Sequence, residues 1–362
     1  MRGLEAFYAQ KKVTKTYFVL FPLLFLLSGI YGLLLEILKF LYRAGILRSY
    51  RSSAKVISVG NITLGGSGKT PLVEYLADLL TRDGHRVAIL LRGYKRPQQP
   101  SAGVSQDYYT NGDEGSMLKQ NLKGRATVLT GPDRVGLTRR LDEEGGFDTI
   151  ILDDGFQHWK LKRDLDIVTI DATDPFGNGL LLPAGHLREE VSSLARADIF
   201  CLTRCDEATE EKCRKLKSRL TNINPRSSVV IAIHAPENLY QLGTEKEAGL
   251  DALRGDQVCV LCGIANPCSF LTSVQKLGAR VAMKSFFQDH HPYREHEIID
   301  IAKKCIDARA DKIVTTQKDA VRLAGLSCLK DLGVDIWVLR IGLKIIVGKE
   351  GLDGRLRSLY HS

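Results

Sequence analysis

Gly68, Lys69 and Thr70 close a glycine-rich turn, "GGSGKT" over residues 65–70, set between an apolar run and a helix-forming one. Backbone N–H groups of such a turn wrap phosphate oxygens where side chains do not obstruct them. The lysine brings positive charge to the outer phosphates, and the hydroxyl can hold Mg²⁺. Gly65, Gly66 and Gly68 supply the permissive backbone, Ser67 sits among them, and Thr63 and Leu64 lead in. The usual pattern, G-x-x-x-x-G-K-[ST], has a glycine where this chain has Thr63, which changes the turn leaving the strand more than the cradle. A second acidic piece ends the apolar run "TIILDDGFQH" with Asp153 and Asp154. One carboxylate can hold Mg²⁺ or its water and leave the other for a substrate or a hydrogen-bond network; the plainer alternative is a solvated pair at a turn. Gln157 and His158 follow and can reach the same cleft. Such parts serve an ATPase, a GTPase or a kinase equally well.

These residues need strands to deliver them. "KVISVGN" reads as a buried strand before the glycine turn, and 70–82 as a helix with apolar Leu72, Tyr75, Leu76 and Leu79. "RVAILL" (86–91), "DTIILDD" (148–154), "LDIVTID" (165–171) and "ADIFCLT" (197–203) are further strands. Short β-rich runs alternating with helices imply an α/β fold with a mostly parallel sheet covered on both faces. Ligands of such sheets collect at the carboxyl ends of the strands, where both the turn and the acidic pair fall. A second α/β unit begins near residue 229, with strands at 257–264, 279–287, 311–316 and 335–341. The expected organisation is a membrane-associated helix with basic flanks (1–50), a P-loop α/β/α sandwich (51–228) and a smaller α/β domain (229–362).

Charge and hydropathy add a location. Residues 1–55 hold nine Lys or Arg against two Glu, so seven of the net +9 charges lie there. A basic groove for nucleic acid needs charge spread over the folded body, so nucleic acid is excluded as a partner. Here the excess flanks residues 17–35, 19 residues without a charged side chain, as anionic lipid heads would favour. A helix of that length is about 28 Å long, near the thickness of a bilayer core; it can cross the membrane or lie in its interface. The eight cysteines show no disulfide framework. The two of "VCVLC", Cys259 and Cys262, fall on opposite faces of a strand and cannot readily share a metal.

The chain as a whole resembles the tetraacyldisaccharide 4′-kinase family of lipid A biosynthesis. The motifs that carry the resemblance are "VISVGNITLGGSGKTP" (56–71), "LLRGYKR" (90–96), "NGDEG" (111–115), "ILDDGFQHWKLKRDLDI" (151–167), "LLPAGHLRE" (181–189), "GIANPCSF" (263–270), "FFQDHH" (286–291) and "TTQKDAVRL" (315–323). That family also lacks the first glycine of the phosphate loop. The resemblance implies transfer of the ATP γ-phosphate to the 4′-hydroxyl of a membrane-embedded acylated disaccharide 1-phosphate, giving lipid IV-A. It also implies Mg²⁺, and a place among membrane lipids on the cytoplasmic face of a Gram-negative inner membrane. No obligate protein partner is expected. By matching motifs, Asp113 is the catalytic base, paired with His290, and Lys69 binds the outer phosphates. Thr70, Asp153, Asp154, Glu114 and Glu189 are candidates for metal and substrate duties, with the division among the acids open. Arg92, Tyr94, Gln157, His158 and Arg188 are candidates for the acceptor. The family often has an arginine where this chain has Trp159, with Lys160 and Lys162 beside it. Because His290 lies in the second unit, closure on ATP and lipid is expected to complete the geometry. The rival from another class is a membrane-associated P-loop ATPase or GTPase switch, for which "LTRCD" (202–206) faintly resembles a base-reading motif with Arg204 in place of lysine.

Overall fold

Val- and Ile-rich runs settle as strands when helices cover both faces of a sheet. The structure, a computed structural model, describes residues 15–93, 106–244 and 246–360. β1 (Lys55–Gly60), β2 (Val87–Leu91), β4 (Thr149–Asp153), β5 (Leu165–Asp171) and β6 (Ile199–Thr203) occupy the expected runs and are buried almost throughout. β3 (Thr127–Thr130) adds an edge. They stand in the order β6-β5-β1-β4-β2-β3, every pair parallel, so their carboxyl ends share one edge.

The second set, β9 (Gln257–Cys262), β10 (Arg280–Phe286), β11 (Lys312–Thr316) and β12 (Asp335–Val347), is also parallel, in the order β10-β9-β11-β12. β7 (Ser228–Gln241) joins the two sets, parallel to β6 and antiparallel to β12, with the short β8 (Glu247–Ala248) beside it. Twelve strands among the described residues thus form one sheet. The two parallel sets run in opposite senses, so their carboxyl ends can meet only if the sheet curves. The β7–β12 pairing shifts register at Arg340/Ile341 and Ile345/Val347, irregularities of the kind that bend a ribbon.

The helices in chain order are α1 (Lys15–Arg43), α2 (Lys69–Arg82), α3 (Gln106–Leu122), α4 (Arg134–Glu144), α5 (Glu210–Ile223), α6 (Pro267–Lys276), α7 (Glu295–Asp307), α8 (Gln317–Leu323) and α9 (Lys349–Ser358). Leu72 and Leu76 of α2 pack on Ile57, Ile89 and Ile151 in the main core, with Tyr75 and Leu79 at its margin. α3 packs on α8, so helices of the two strand sets touch. Cys259 and Cys262 fall in different core clusters, as alternation along β9 requires. α1 runs well beyond residue 35, through Glu36 and Lys39 to Arg43, and is long and apolar enough to cross a membrane. Leu23, Phe25, Leu26, Leu33 and Phe40 are exposed along it, whereas Ser28 and Lys39 are buried.

Candidate active site

The phosphate loop leaves β1 through Asn61 and Ile62. Thr63 forms an antiparallel bridge with Leu187, flanked by Leu64 N donating to His186 O (2.8 Å) and Arg188 N donating to Ile62 O (2.7 Å). An extended, paired residue does not need glycine, which explains Thr63. Glycine is needed further on: Gly65 and Gly68 have φ of 110° and 82°. A Cβ on Gly68 would also meet His234 at 3.0 Å. Ser67 is tied to Thr169 (2.7 Å) and, through its carbonyl, to Thr203 (3.1 Å). Lys69 donates to Asn61 Oδ1 (3.2 Å) and lies 3.7 Å from Asp154.

Behind the loop, Thr70 Oγ1 donates to Asp153 Oδ2 at 3.2 Å. Asp153 is buried and its Oδ1 has no partner. Burial, together with the nearby charge of Glu114, pushes its carboxyl up to about 7. Asp154 has a left-handed backbone, φ 54°, and pairs with both terminal nitrogens of Arg188 (2.6 and 3.0 Å). Burial alone would raise its pKa, but the Arg188 hydrogen bonds and the Lys69 charge prevail and lower it to about 2. Arg134 donates to the carbonyls of both Asp153 and Asp154 (2.8 and 3.2 Å), fixing the turn.

The helix α3 is interrupted at Gly112, whose φ of 71° and ψ of −178° are open essentially only to glycine. The helix restarts there, so Asp113 and Glu114 stand at the start of a new segment. Asp113 accepts from His290 Nδ1 at 2.8 Å, and Arg322 Nε lies 3.4 Å away. Burial raises the Asp113 carboxyl, but the His290 hydrogen bond and the Arg322 charge leave it below its ordinary value. Glu114 is held below its ordinary value chiefly by Lys318, which donates to it at 3.1 Å. His290 has φ 62°, another left-handed residue at the centre of the site. Its neighbour His291 turns away, bonding Glu297 at 3.1 Å and stacking on Phe287. The Asp113–His290 contact joins the two strand sets at the site.

Other expected residues lie differently. Both Glu189 oxygens are taken: Arg196 donates to each at 3.0 Å, Gln157 adds a bond at 3.0 Å, and Lys39 lies 3.5 Å away. Glu189 is 0 % exposed and locked by cations, so the expected metal duty does not fit it. Gln157 also donates to Asn61 O (2.9 Å), just ahead of the phosphate loop. Arg188 is likewise engaged, with Asp154 and with Asn61 Oδ1 (3.3 Å). Burial and the charges of Arg134 and Arg163 push His158 down to about 4, so it is neutral at pH 7, and its Nε2 lacks a partner. Arg92 is exposed just after β2; Tyr94 lies outside the described residues. Arg204 pairs with Asp171 and donates to Gly66 O (3.2 Å), bracing the phosphate loop. Trp159 carries no charge itself but has the Arg196 guanidinium 4.3 Å above its ring.

The chain matches the LpxK family, tetraacyldisaccharide-1-P 4′-kinase, over residues 20–361. It belongs to this family. Among curated relatives, the tetraacyldisaccharide 4′-kinase of Anaeromyxobacter dehalogenans (strain 2CP-C) is 40% identical, covering 87% of this chain and 84% of its own. That of Halothermothrix orenii is 37% identical, covering 89% of this chain and 88% of its own. The crystal structure of LpxK from Aquifex aeolicus in complex with ATP superimposes with a TM-score of 0.72 at 28% identity, covering 95% of this chain and 99% of that one.

Within the LpxK fold of this chain, several side chains at the site escaped sequence reasoning. Arg322 and Lys318 sit on one face of α8 at i and i+4, a spacing visible in "TTQKDAVRL", yet nothing local says what that face meets. Arg134 and Asn61 carry no signal beyond their places at the start of α4 and the end of β1.

Proposed function

We propose that this kinase transfers the γ-phosphate of ATP to the 4′-hydroxyl of a tetraacyldisaccharide 1-phosphate, forming lipid IV-A in lipid A biosynthesis, and that Asp113 is its base. Family membership supports the reaction. The observation that carries the residue assignment is the Asp113–His290 contact of 2.8 Å, with Glu114 set between Lys318, Lys69 and His290. Residues 51–228 then form the nucleotide-holding unit and 229–362 the unit that brings His290, with 1–50 associated with lipid.

A sugar hydroxyl is a poor nucleophile until its proton has somewhere to go. As its oxygen bonds to the γ-phosphorus and the bond to the bridging oxygen of ADP breaks, the Asp113 carboxylate accepts the proton. His290 donates Nδ1–H to that carboxylate and keeps it turned toward the acceptor, and Arg322 holds it ionised. Lys69, steered by Asn61 and Asp154, binds the outer phosphate oxygens. Mg²⁺ fits beside Thr70 and Asp153, because the buried Asp153 Oδ1 is an orphaned acceptor. When bound it would neutralise charge on the phosphates. Arg92 and Tyr94 are assigned to the acceptor. The exposed Leu and Phe side chains of α1 favour work at a membrane surface, which we take to be the cytoplasmic face of a Gram-negative inner membrane.

The test incubates purified protein with labelled ATP, Mg²⁺ and detergent-solubilised tetraacyldisaccharide 1-phosphate, with Lys69→Ala as control. Labelled lipid that depends on Lys69 is expected. Its absence, with ATP bound and the protein folded, would overturn the assignment.

A further inference from the structure

A lysine on an apolar helix is expensive unless it faces protein. Lys39 of α1 is 4 % exposed, among exposed Leu33, Leu34, Ile37 and Phe40. Its ammonium bonds Ser193 Oγ (2.8 Å) and Glu36 (2.7 Å) and lies 3.5 Å from the fully buried Glu189. Other polar groups of α1 point the same way. Ser28 donates to Leu181 O (2.9 Å) and accepts from Ala184 N (2.9 Å), and Tyr31 donates to Arg188 O (2.9 Å). A Cβ on Gly32 would come within 2.9 Å of Leu181, so the helix sits tightly on this segment. Near its end Tyr42 stacks with Trp159. An anchor alone would need none of these contacts.

They lead somewhere. From Tyr31, the path runs through Arg188, which holds Asp154 and donates to Asn61 Oδ1. From Lys39, it runs through Glu189 to Gln157, which donates to Asn61 O. Both paths end on Asn61, which holds Lys69 through Oδ1 and the carbonyl of Thr63 through Nδ2 (2.9 Å). The backbone bonds between residues 186–188 and 62–64 tie the same segment directly to the start of the phosphate loop.

We propose that α1 is part of the machinery that positions the phosphate loop, with Lys39 and Tyr31 as positioning residues acting on Lys69 through the 181–193 segment and Asn61. The proposal rests on the reading of this chain as a membrane-associated kinase, but concerns the ATP side of the site.

The full-length chain is compared with Lys39→Met, Lys39→Arg and Tyr31→Phe in phosphatidylethanolamine–phosphatidylglycerol vesicles. Displacement of a fluorescent ATP analogue gives ATP affinity without any acceptor, so it reads out even if no lipid is phosphorylated. Co-sedimentation with vesicles and the thermal midpoint are measured alongside. Lys39→Met is expected to sediment like the wild type yet bind ATP about tenfold more weakly, the scale of one charge-assisted hydrogen bond. Its KM for ATP should rise in step, Lys39→Arg should recover most of the loss, and Tyr31→Phe should weaken ATP binding about threefold. Wild-type ATP affinity in Lys39→Met would overturn the proposal and leave α1 an anchor. Should Lys39→Met fail to fold, Tyr31→Phe decides, since it removes a single hydroxyl; unchanged ATP affinity there would equally overturn it.

Discussion

Asp113 and His290 are 177 residues apart in the chain and 2.8 Å apart in the fold. Asp113→Asn keeps the shape and the contact but cannot accept a proton. It should lower kcat about 10²- to 10⁴-fold, the range for loss of a positioned general base, with ATP affinity unchanged. His290→Gln keeps a hydrogen-bonding side chain without the ring, and should cost less, about tenfold in kcat. Steady-state kinetics with the lipid acceptor and separate ATP titrations check both; wild-type turnover in His290→Gln would remove the dyad. At this scale the sequence was readable in part. The glycine turn, Lys69 and the Asp153–Asp154 pair declare themselves by spacing. Asp113 reads locally as an ordinary turn acid and stood out only through resemblance. Lys318 and Arg322 could not be placed because Glu114, the partner of Lys318, lies 204 residues away.

Gly112 shows how an element aims a residue. Its φ of 71° and ψ of −178° break α3 one residue before Asp113. Gly112→Ala forces a side chain into that conformation, at a cost of about 1–3 kcal/mol or a shift of the helix start. Either outcome predicts a lower urea midpoint or a kcat loss resembling that of Asp113→Asn, seen by pairing urea denaturation with kinetics. The Glu189 seam beneath α1 makes a pH prediction. Burial raises the Glu189 carboxyl, but the Arg196 hydrogen bonds and charge, with Gln157 and Lys39, bring it below its ordinary 4.5. A depressed carboxyl stabilises the fold above its unfolded pKa, and that contribution fades as pH falls through the folded value. Glu189→Gln should therefore lose roughly 3 kcal/mol at pH 7, leaving buried cations uncompensated. The gap to the wild type should narrow as pH drops below 4.5; a gap independent of pH would contradict it. Most strands were readable from their apolar runs, while the continuation of α1 past residue 35 was not. Glu36 and Lys39 look like its end, and only the body behind them gives Lys39 a partner.

Across the whole molecule the issue is whether the two strand sets behave as one body. β7 and β12 share a long antiparallel pairing, and a partly buried polar cluster spans the halves beside it. Glu74 of α2 accepts from Arg340 of β12 (2.8 Å) and from Asn121 of α3 (2.9 Å), and Gln317 of α8 donates to Asn121 (2.8 Å). No local pattern announces this, because Arg340 and Glu74 are 266 residues apart. The same packing of α3 on α8 accompanies the Asp113–His290 contact between the halves. The chain has two tryptophans, Trp159 against Arg196 in the first set and Trp337 on β12 in the second. Single-tryptophan variants, Trp159→Phe and Trp337→Phe, therefore report the halves separately. Coincident urea midpoints are expected, as for one cooperative unit. Arg340→Met leaves the partly buried Glu74 without its cation, whose charge offsets the burial that raises its carboxyl. Introduced into both variants, it should cost about 1–3 kcal/mol and begin to separate the two midpoints. Midpoints already apart in the parent variants would mean that the halves unfold independently.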